Sequence, residues 1–252
     1  MLILKRFVKQ TIAFMSILSL FGCGHGARQA AAAPAVPAPA PSAFPQDRLQ
    51  ARDGSDIVLT FYTHASIALW WNGCQIYIDP TGDAIQWAAE PKASFILVTH
   101  SHGDHFNQAV IRQLKEDGAY LQMKPGEKAE PFPGVQVEAV PAYNISEGHL
   151  QFHPKDRGDA GYIVTLGGTR IYVAGDTEDN EDVLALKDID VAFLPVNQPY
   201  TMTVPQCVRV VEAIRPGIFY PYHYGGSGQP TDLEALKQAV SGITDIRIRP
   251  LE

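Results

Sequence analysis

Cysteine is scarce in this chain. Three residues in 252 cannot build a disulfide framework, nor the Cys-rich shell of a closed structural zinc site. Clustered positive charge is missing as well: 20 Lys and Arg stand against 27 acidic residues, a net charge of −7. Nucleic acid is thereby excluded as a main partner, because affinity for a phosphate backbone needs bunched Lys and Arg. The apolar run TIAFMSILSLFG, residues 11–22, is too short to span a bilayer. No short internal repeat recurs. What is present is ordinary for a soluble globule, with 46% hydrophobic and 19% charged residues, and the length suits one domain plus a tail.

The first 22 residues read as a signal peptide, with Lys5, Arg6 and Lys9 ahead of the apolar run. Leu20-Phe21-Gly22-Cys23 resembles the lipobox of bacterial lipoproteins, although Phe21 is bulkier than the usual residue there. That resemblance implies lipidation of Cys23; the other reading is a plain secretory signal with a chance cysteine. ARQAAAAPAVPAPAPSAFPQ follows, dense in Pro and Ala, so residues 23–55 are expected to be a lipidated cysteine and a semi-rigid tether. The expected product is an exported, membrane-anchored lipoprotein. Gly24 after the cysteine is compatible with outer-membrane sorting, facing the periplasm, in a Gram-negative host. Cys74 and Cys207, in a strand-like and a helix-like run, are expected to be buried apolar residues rather than halves of a bridge.

Residues 56–252 carry the fold. IVLTFYT, ASIALWW and CQIYID are successive strand candidates, the last two joined by the hairpin signal Asn72-Gly73. SFILVT is a continuous apolar run of the buried-strand kind, followed by a helix that Asn107 would cap. VQVEAVPAY, GYIVTL, TRIYVAGD, DVAFLPV and GIFYPYH repeat the pattern. Thr203 to Gln206 reads as a capping box opening a helix to Ile214, with Cys207, Val208, Val211 and Ile214 inward, and Thr231 is expected to cap a last helix. Two halves of strands followed by helix predict two packed sheets with helices outside.

The chemistry concentrates at strand ends. LVTHSHGDHFN, residues 97–107, puts three of only eight histidines and an aspartate behind a buried strand. His100 and His102 share one side of an extended segment, and Gly103 would let Asp104 and His105 turn to a second point. Imidazoles with a carboxylate suit a borderline divalent ion such as Zn²⁺. Four groups are too many for one open catalytic ion and too few for two, so further ligands are required. Asp176 and His223 end later strands in the same manner.

His100-Ser-His102-Gly-Asp104-His105, with Ala174-Gly175-Asp176-Thr177 and Tyr222-His223-Tyr224-Gly225, resembles the HxHxDH signature and later metal segments of the metallo-β-lactamase superfamily. THAS, VPAYN, the His-Pro-Lys segment, AGDTE and TMT look like the branch containing ascorbate-6-phosphate lactonases. The resemblance covers roughly residues 56–252. It implies an α/β fold, an αββα sandwich of two mixed β-sheets, with the site at one edge. It further implies that His100 and His102 bind one metal, that Asp104, His105 and His223 bind a second, and that Asp176 bridges them. The family's third histidine for the first metal falls at Asn144, a poorer ligand. That site is then weak, empty or completed by another group, for which His64 is the candidate; its other reading is a hydrogen-bonded strand-end histidine.

One or two Zn²⁺ ions are the expected cofactor, with Mn²⁺ or Fe²⁺ as alternatives. Metal-bound water, its pKa lowered to roughly 7, would attack a carbonyl carbon or phosphorus, with Asp104 orienting it. GHLQFHPKDRGDAGY, residues 148–162, is the expected substrate loop. His153 and Lys155 would bind an anionic small-molecule substrate or protonate its leaving oxygen, and Tyr200 would line the cleft. The related pattern has glycine soon after the lysine; here Asp156-Arg157 intervene. The expected activity is hydrolysis of a small phosphodiester, lactone or other ester. The alternative is a non-catalytic metal-binding scaffold tethered to the membrane, which the His/Asp ligand set disfavours against the Cys-rich norm of structural zinc. The composition leaves the oligomeric state open.

Overall fold

Side-chain alternation decides which way each strand faces. The computed structural model describes residues 42–225 and 229–251. The signal peptide, Cys23 and most of the expected tether lie outside the described residues. Strands β1 (Gln46–Gln50), β2 (Asp56–Thr63), β3 (Ser66–Trp71), β4 (Cys74–Ile78), β5 (Ala93–Leu97) and β6 (Lys115–Leu121) form one sheet in that order. The first four run antiparallel; β4, β5 and β6 are parallel, with α1 (Gln108–Leu114) crossing over between the last two. Asn72 and Gly73 both take positive φ, 47° and 84°, as a tight β-hairpin turn requires.

The second sheet repeats this plan. β7 (Lys128–Phe132), β8 (Val135–Pro141), β9 (Ala160–Leu166) and β10 (Thr169–Val173) are antiparallel neighbours. β11 (Val191–Pro195), β12 (Ile218–Tyr222) and β13 (Asp245–Ile246) then add in parallel beyond β10. Helices α2 (Glu181–Leu184), α3 (Val204–Ile214) and α4 (Leu233–Ala239) make the crossovers.

The layers follow from the apolar faces. Ile57, Leu59, Phe61, Ile76, Ile78, Phe95 and Leu97 point from the first sheet onto Val137, Val164, Ile171, Val173 and Phe193 of the second. The intervening residues Tyr77 and Ile96 face out onto Val110, Ile111 and Leu114 of α1. Tyr172, Ala192, Leu194 and Phe219 face out onto Cys207, Val210, Val211 and Ile214 of α3 and Leu236 of α4. Central strands covered on both faces must be apolar throughout, which is why SFIL reads as an unbroken run. The fold is an αββα sandwich.

Several local expectations need correcting. β1 lies inside the stretch read as tether: it pairs with β2 along its whole length, and Asp47 accepts from Arg249 Nε and Nη2. An edge strand needs little apolar sequence, and here only Leu49, partly buried, packs against the core, so composition hides it. Val210, not among the expected inward residues, is fully buried on α3, while Val208 packs against the same cluster only partly buried. The capping box of Thr203 and Gln206 is present, but α4 is capped by Asp232, whose carboxylate accepts from the Ala235 N–H, not by Thr231. Cys74 and Cys207 are buried free thiols in different apolar clusters, and burial pushes the Cys74 thiol up to about 12.

Candidate metal centre

β5, β10 and β12 end at the same edge of the sandwich, and each hands over to a polar residue. Thr99-His100 follows β5, Gly175-Asp176 follows β10, and His223 follows β12. Gly175 permits the convergence: at φ 65° it lets the Asp176 strand end lie so close to Thr99 that an added Cβ would stand 3.0 Å from the Thr99 Cβ. Gly103 plays no such part. Its φ is outside the left-handed region and an added Cβ would meet nothing within 4 Å, so the turn from His102 to His105 does not depend on glycine. Among the described residues six non-glycine positions take positive φ, and three of them, His64, Asp79 and His223, sit here, so backbone strain gathers at the site.

Asp176 is the hub. Its side chain is 3% exposed, with His105 Nε2 at 3.2 Å, His223 Nε2 at 3.2 Å, His153 Nε2 at 3.3 Å and His100 Nε2 at 3.8 Å. Two groups of ligand-type atoms flank it. His100, His102 and His153 form one; His64, Asp104, His105 and His223 form the other. His105 Nε2, His223 Nε2 and Asp176 Oδ1 are buried without a hydrogen-bond partner. Buried polar atoms left in that state cost free energy, and a cation at their common focus would satisfy all three. The residues present therefore fit a metal.

The outer partners hold the rings for that purpose. Asp79, buried at the end of β4, accepts from the Thr99 N–H and hydroxyl, and lies 2.8 Å from His105 Nδ1. Thr99 Oγ1 is in turn 3.0 Å from His100 Nδ1. One carboxylate thus orients a histidine of each group, leaving both Nε2 atoms turned inward. Burial pushes the His100 imidazole well below its usual range, with the charge of His105 adding to this. His102 is lowered by burial and by the Arg157 guanidinium. Burial also opposes charge on His105, but Asp176 and Asp79 outweigh it and raise its pKa well above the ordinary value. Burial would raise Asp104 and Asp176; the neighbouring imidazoles of His223 and His64 hold the first carboxylate far down, and the charges of His105 and His223 hold the second.

The structure redistributes several expected roles. His153, expected in substrate binding, completes the His100/His102 group instead. Asn144 does not occupy that place: its Nδ2 donates to the carbonyls of Tyr200 and His149, so it braces the loop that carries His153. Glu178 fixes the same loop by accepting from the Ile145 and Ser146 N–H groups. His64 joins the second group, not the first, with Nε2 3.3 Å from Asp104 Oδ2 and its ring 3.8 Å from that of His223. Lys155 is turned away from the site. It stands over the Tyr143 ring at 4.4 Å, donates to the Tyr143 hydroxyl, and lies near Glu181 and Asp182. The short turn Lys155–Arg157 puts Arg157 inward in its place, 2.8 Å from His102 Nε2. Tyr200 does line the cleft, a space of about 300 Å³ bounded also by His64, His102, Asp104, Phe152, His153, Asp176, Asn197 and His223.

Known proteins are similar to this chain in sequence and in fold. Residues 58–223 match the family model of the β-lactamase superfamily domain. The chain is 32% identical over 193 residues to a UPF0173 metal-dependent hydrolase of Thermus thermophilus, covering 67% of this chain and 84% of that protein. A candidate metal-dependent hydrolase from Parabacteroides distasonis has a crystal structure that superposes with a TM-score of 0.75 at 38% identity, over 83% of this chain and 100% of the other. The chain belongs to the metallo-β-lactamase superfamily. A metallo hydrolase of Ignicoccus hospitalis, at 23% identity and a TM-score of 0.65 over 78% of this chain and 96% of that one, shares the fold.

Within this superfamily scaffold, Asp79 and Asn197 were not expected at the site, and Phe152, Arg157 and Asp159 were expected only as members of the 148–162 loop, with no role of their own. Asp79 carried the same signal as Asp176, an acidic residue closing an apolar strand; the others lie in loops without such a signal. Asp79→Asn should weaken divalent-metal binding by roughly 10–100-fold with the fold intact, measured by metal titration beside a circular dichroism spectrum. An unchanged affinity would contradict the orienting role. Because His105 is held protonated above its ordinary range, binding a metal must displace that proton. Affinity should therefore rise with pH through neutrality, by about tenfold per unit while one proton is released. Equilibrium dialysis against Zn²⁺ at several pH values checks this, and a flat profile would count against it.

Proposed function

We propose that the protein is a metal-dependent hydrolase that cleaves a small phosphodiester, lactone or other ester. The observation that carries this reading is the set of partnerless buried atoms, His105 Nε2, His223 Nε2 and Asp176 Oδ1, facing an open cleft. His100, His102 and His153 would hold one cation, Asp104, His105 and His223 a second, with Asp176 between them; His64 stands beside Asp104 in reserve. The imidazole-rich set favours Zn²⁺, Mn²⁺ or Fe²⁺ over Mg²⁺ or Ca²⁺, which prefer all-oxygen shells. When bound, such an ion acts as a Lewis acid and brings the pKa of a coordinated water to about 7.

The chain's own residues do the remaining work. Asp104 is the carboxylate that reaches both solvent and site: its side chain is 51% exposed, and Oδ2 lies 3.3 Å from His64 and 3.7 Å from His223. Kept ionised by those neighbours, it can accept a hydrogen bond from the attacking water and so orient it. Phe152 and Tyr200, with ring centroids 5.0 Å apart, wall the far side of the cleft and limit the water that reaches the reacting bond. Lipoprotein export remains part of the proposal. It rests on the sequence of residues 1–23, and it would put the substrate outside the cytoplasm.

Three chromogenic probes test the reading: bis(4-nitrophenyl) phosphate, 4-nitrophenyl acetate and a thiolactone with thiol detection. At least one should be turned over by metal-loaded protein, lost on chelation and regained with Zn²⁺ or Mn²⁺. Asp104→Asn should lower kcat by about 10²-fold or more. No turnover of any probe after reconstitution would leave the binding-scaffold alternative in its place.

A further inference from the structure

We propose that Arg157 governs occupancy of the His100/His102/His153 group, because its guanidinium and a cation exclude each other there. The inference rests on the metal-holding reading above and adds to it a residue that sets the order of filling.

Arg157 Nη1 stands 2.8 Å from His102 Nε2, and Nη2 stands 2.9 Å from His153 Nδ1. A guanidinium has five donors and no acceptor. Both imidazole nitrogens that face it must therefore present lone pairs, and in neutral rings the protons sit on the inner nitrogens. Those inner atoms have acceptors: His102 Nδ1 is 3.2 Å from His100 Nε2, and His153 Nε2 is 3.3 Å from Asp176 Oδ2. Without a cation the network closes on itself, every proton placed.

A cation held by the inner nitrogens needs the opposite tautomers. An imidazole ligating through one nitrogen carries its proton on the other. His102 Nε2–H and His153 Nδ1–H would then point at Arg157 N–H groups less than 3 Å away, donor against donor, beside a fixed positive charge. Asp159 is the acceptor at hand, 3.8 Å from His153 Nδ1, and Arg157 now occupies it through Nε at 2.7 Å and through Nη2. Loading this group must therefore turn the guanidinium off both rings, move each ring's proton from its inner to its outer nitrogen, and let the His153 Nδ1–H donate to Asp159. The Arg157 side chain is 29% exposed, so solvent is open to it.

The second group has the reverse arrangement. His105 is backed by the carboxylate of Asp79, an acceptor, which favours the tautomer that ligates through Nε2. A donor behind His102 and His153 opposes ligation, and an acceptor behind His105 promotes it. The His105/His223 side consequently fills first, and the His100/His102/His153 side fills only when Arg157 is displaced.

Arg157→Met keeps an unbranched apolar stem and removes the donors. On a His223→Ala background, which isolates the first group, Zn²⁺ titration with chelator competition should show binding at least about tenfold tighter in Arg157→Met than with Arg157 present. Unchanged or weaker binding would overturn the proposal. A measurement on the unaltered protein covers the case in which the variant disturbs the loop. Long-range ¹H–¹⁵N NMR of the metal-free chain should find His102 Nε2 and His153 Nδ1 unprotonated, both gaining protons as Zn²⁺ fills the group. Protons already on those nitrogens before Zn²⁺ is added would overturn it equally. No Zn²⁺ uptake by either group, in any variant, would sink the metal reading and this proposal together.

Discussion

A buried carboxylate surrounded by imidazoles governs the design of this molecule. Asp176 is almost fully enclosed, and four histidine nitrogens stand within 3.8 Å of it. Burying that many polar atoms costs several kcal/mol unless they are paired or coordinate an ion. The fold accepts the cost in a particular way, bringing His105 Nε2, His223 Nε2 and Asp176 Oδ1 together at one place without hydrogen bonds. The strained backbone of His64, Asp79 and His223 and the close approach at Gly175 all serve that aim.

Neither half of the sandwich holds the site alone. The first sheet and its connections bring His64, Asp79, His100, His102, Asp104 and His105. The second brings His153, Asp176 and His223. Ligand geometry therefore depends on how the two sheets register through the apolar layer of Ile76, Ile78, Phe95, Val164, Ile171 and Phe193. A core substitution that shifts one sheet by even a fraction of an ångström moves half of the ligands relative to the other half, because close-packed interiors transmit strain. The residues behind the rings add a second level of control. Asp79 and Arg157 have opposite hydrogen-bonding character, and each imposes it on the histidines it touches.

Much of this was legible in the sequence where one residue type carries one physical meaning. Asn72-Gly73, the capping box at Thr203, and the β-branched and aromatic run IVLTFYT each name a local structure without help from the rest of the chain. His100, His102, Asp104, His105, Asp176 and His223 were legible because strand ends deliver side chains to predictable places. The loop before β9 was not. There a short turn, not an alternating pattern, decides that Arg157 points in and Lys155 out, and that His153 rather than Asn144 meets His100 and His102. Edge strands β1 and β7 were missed for a related reason: a strand with one buried face and one neighbour needs little apolar sequence.

Elemental analysis of the purified protein beside its Asp176→Ala variant tests the central claim most directly. The account predicts a stoichiometric divalent transition metal in the wild-type chain and its loss in the variant, with the fold retained. A wild-type chain that takes up no metal after reconstitution would contradict it, and so would a variant that binds metal as well as the parent.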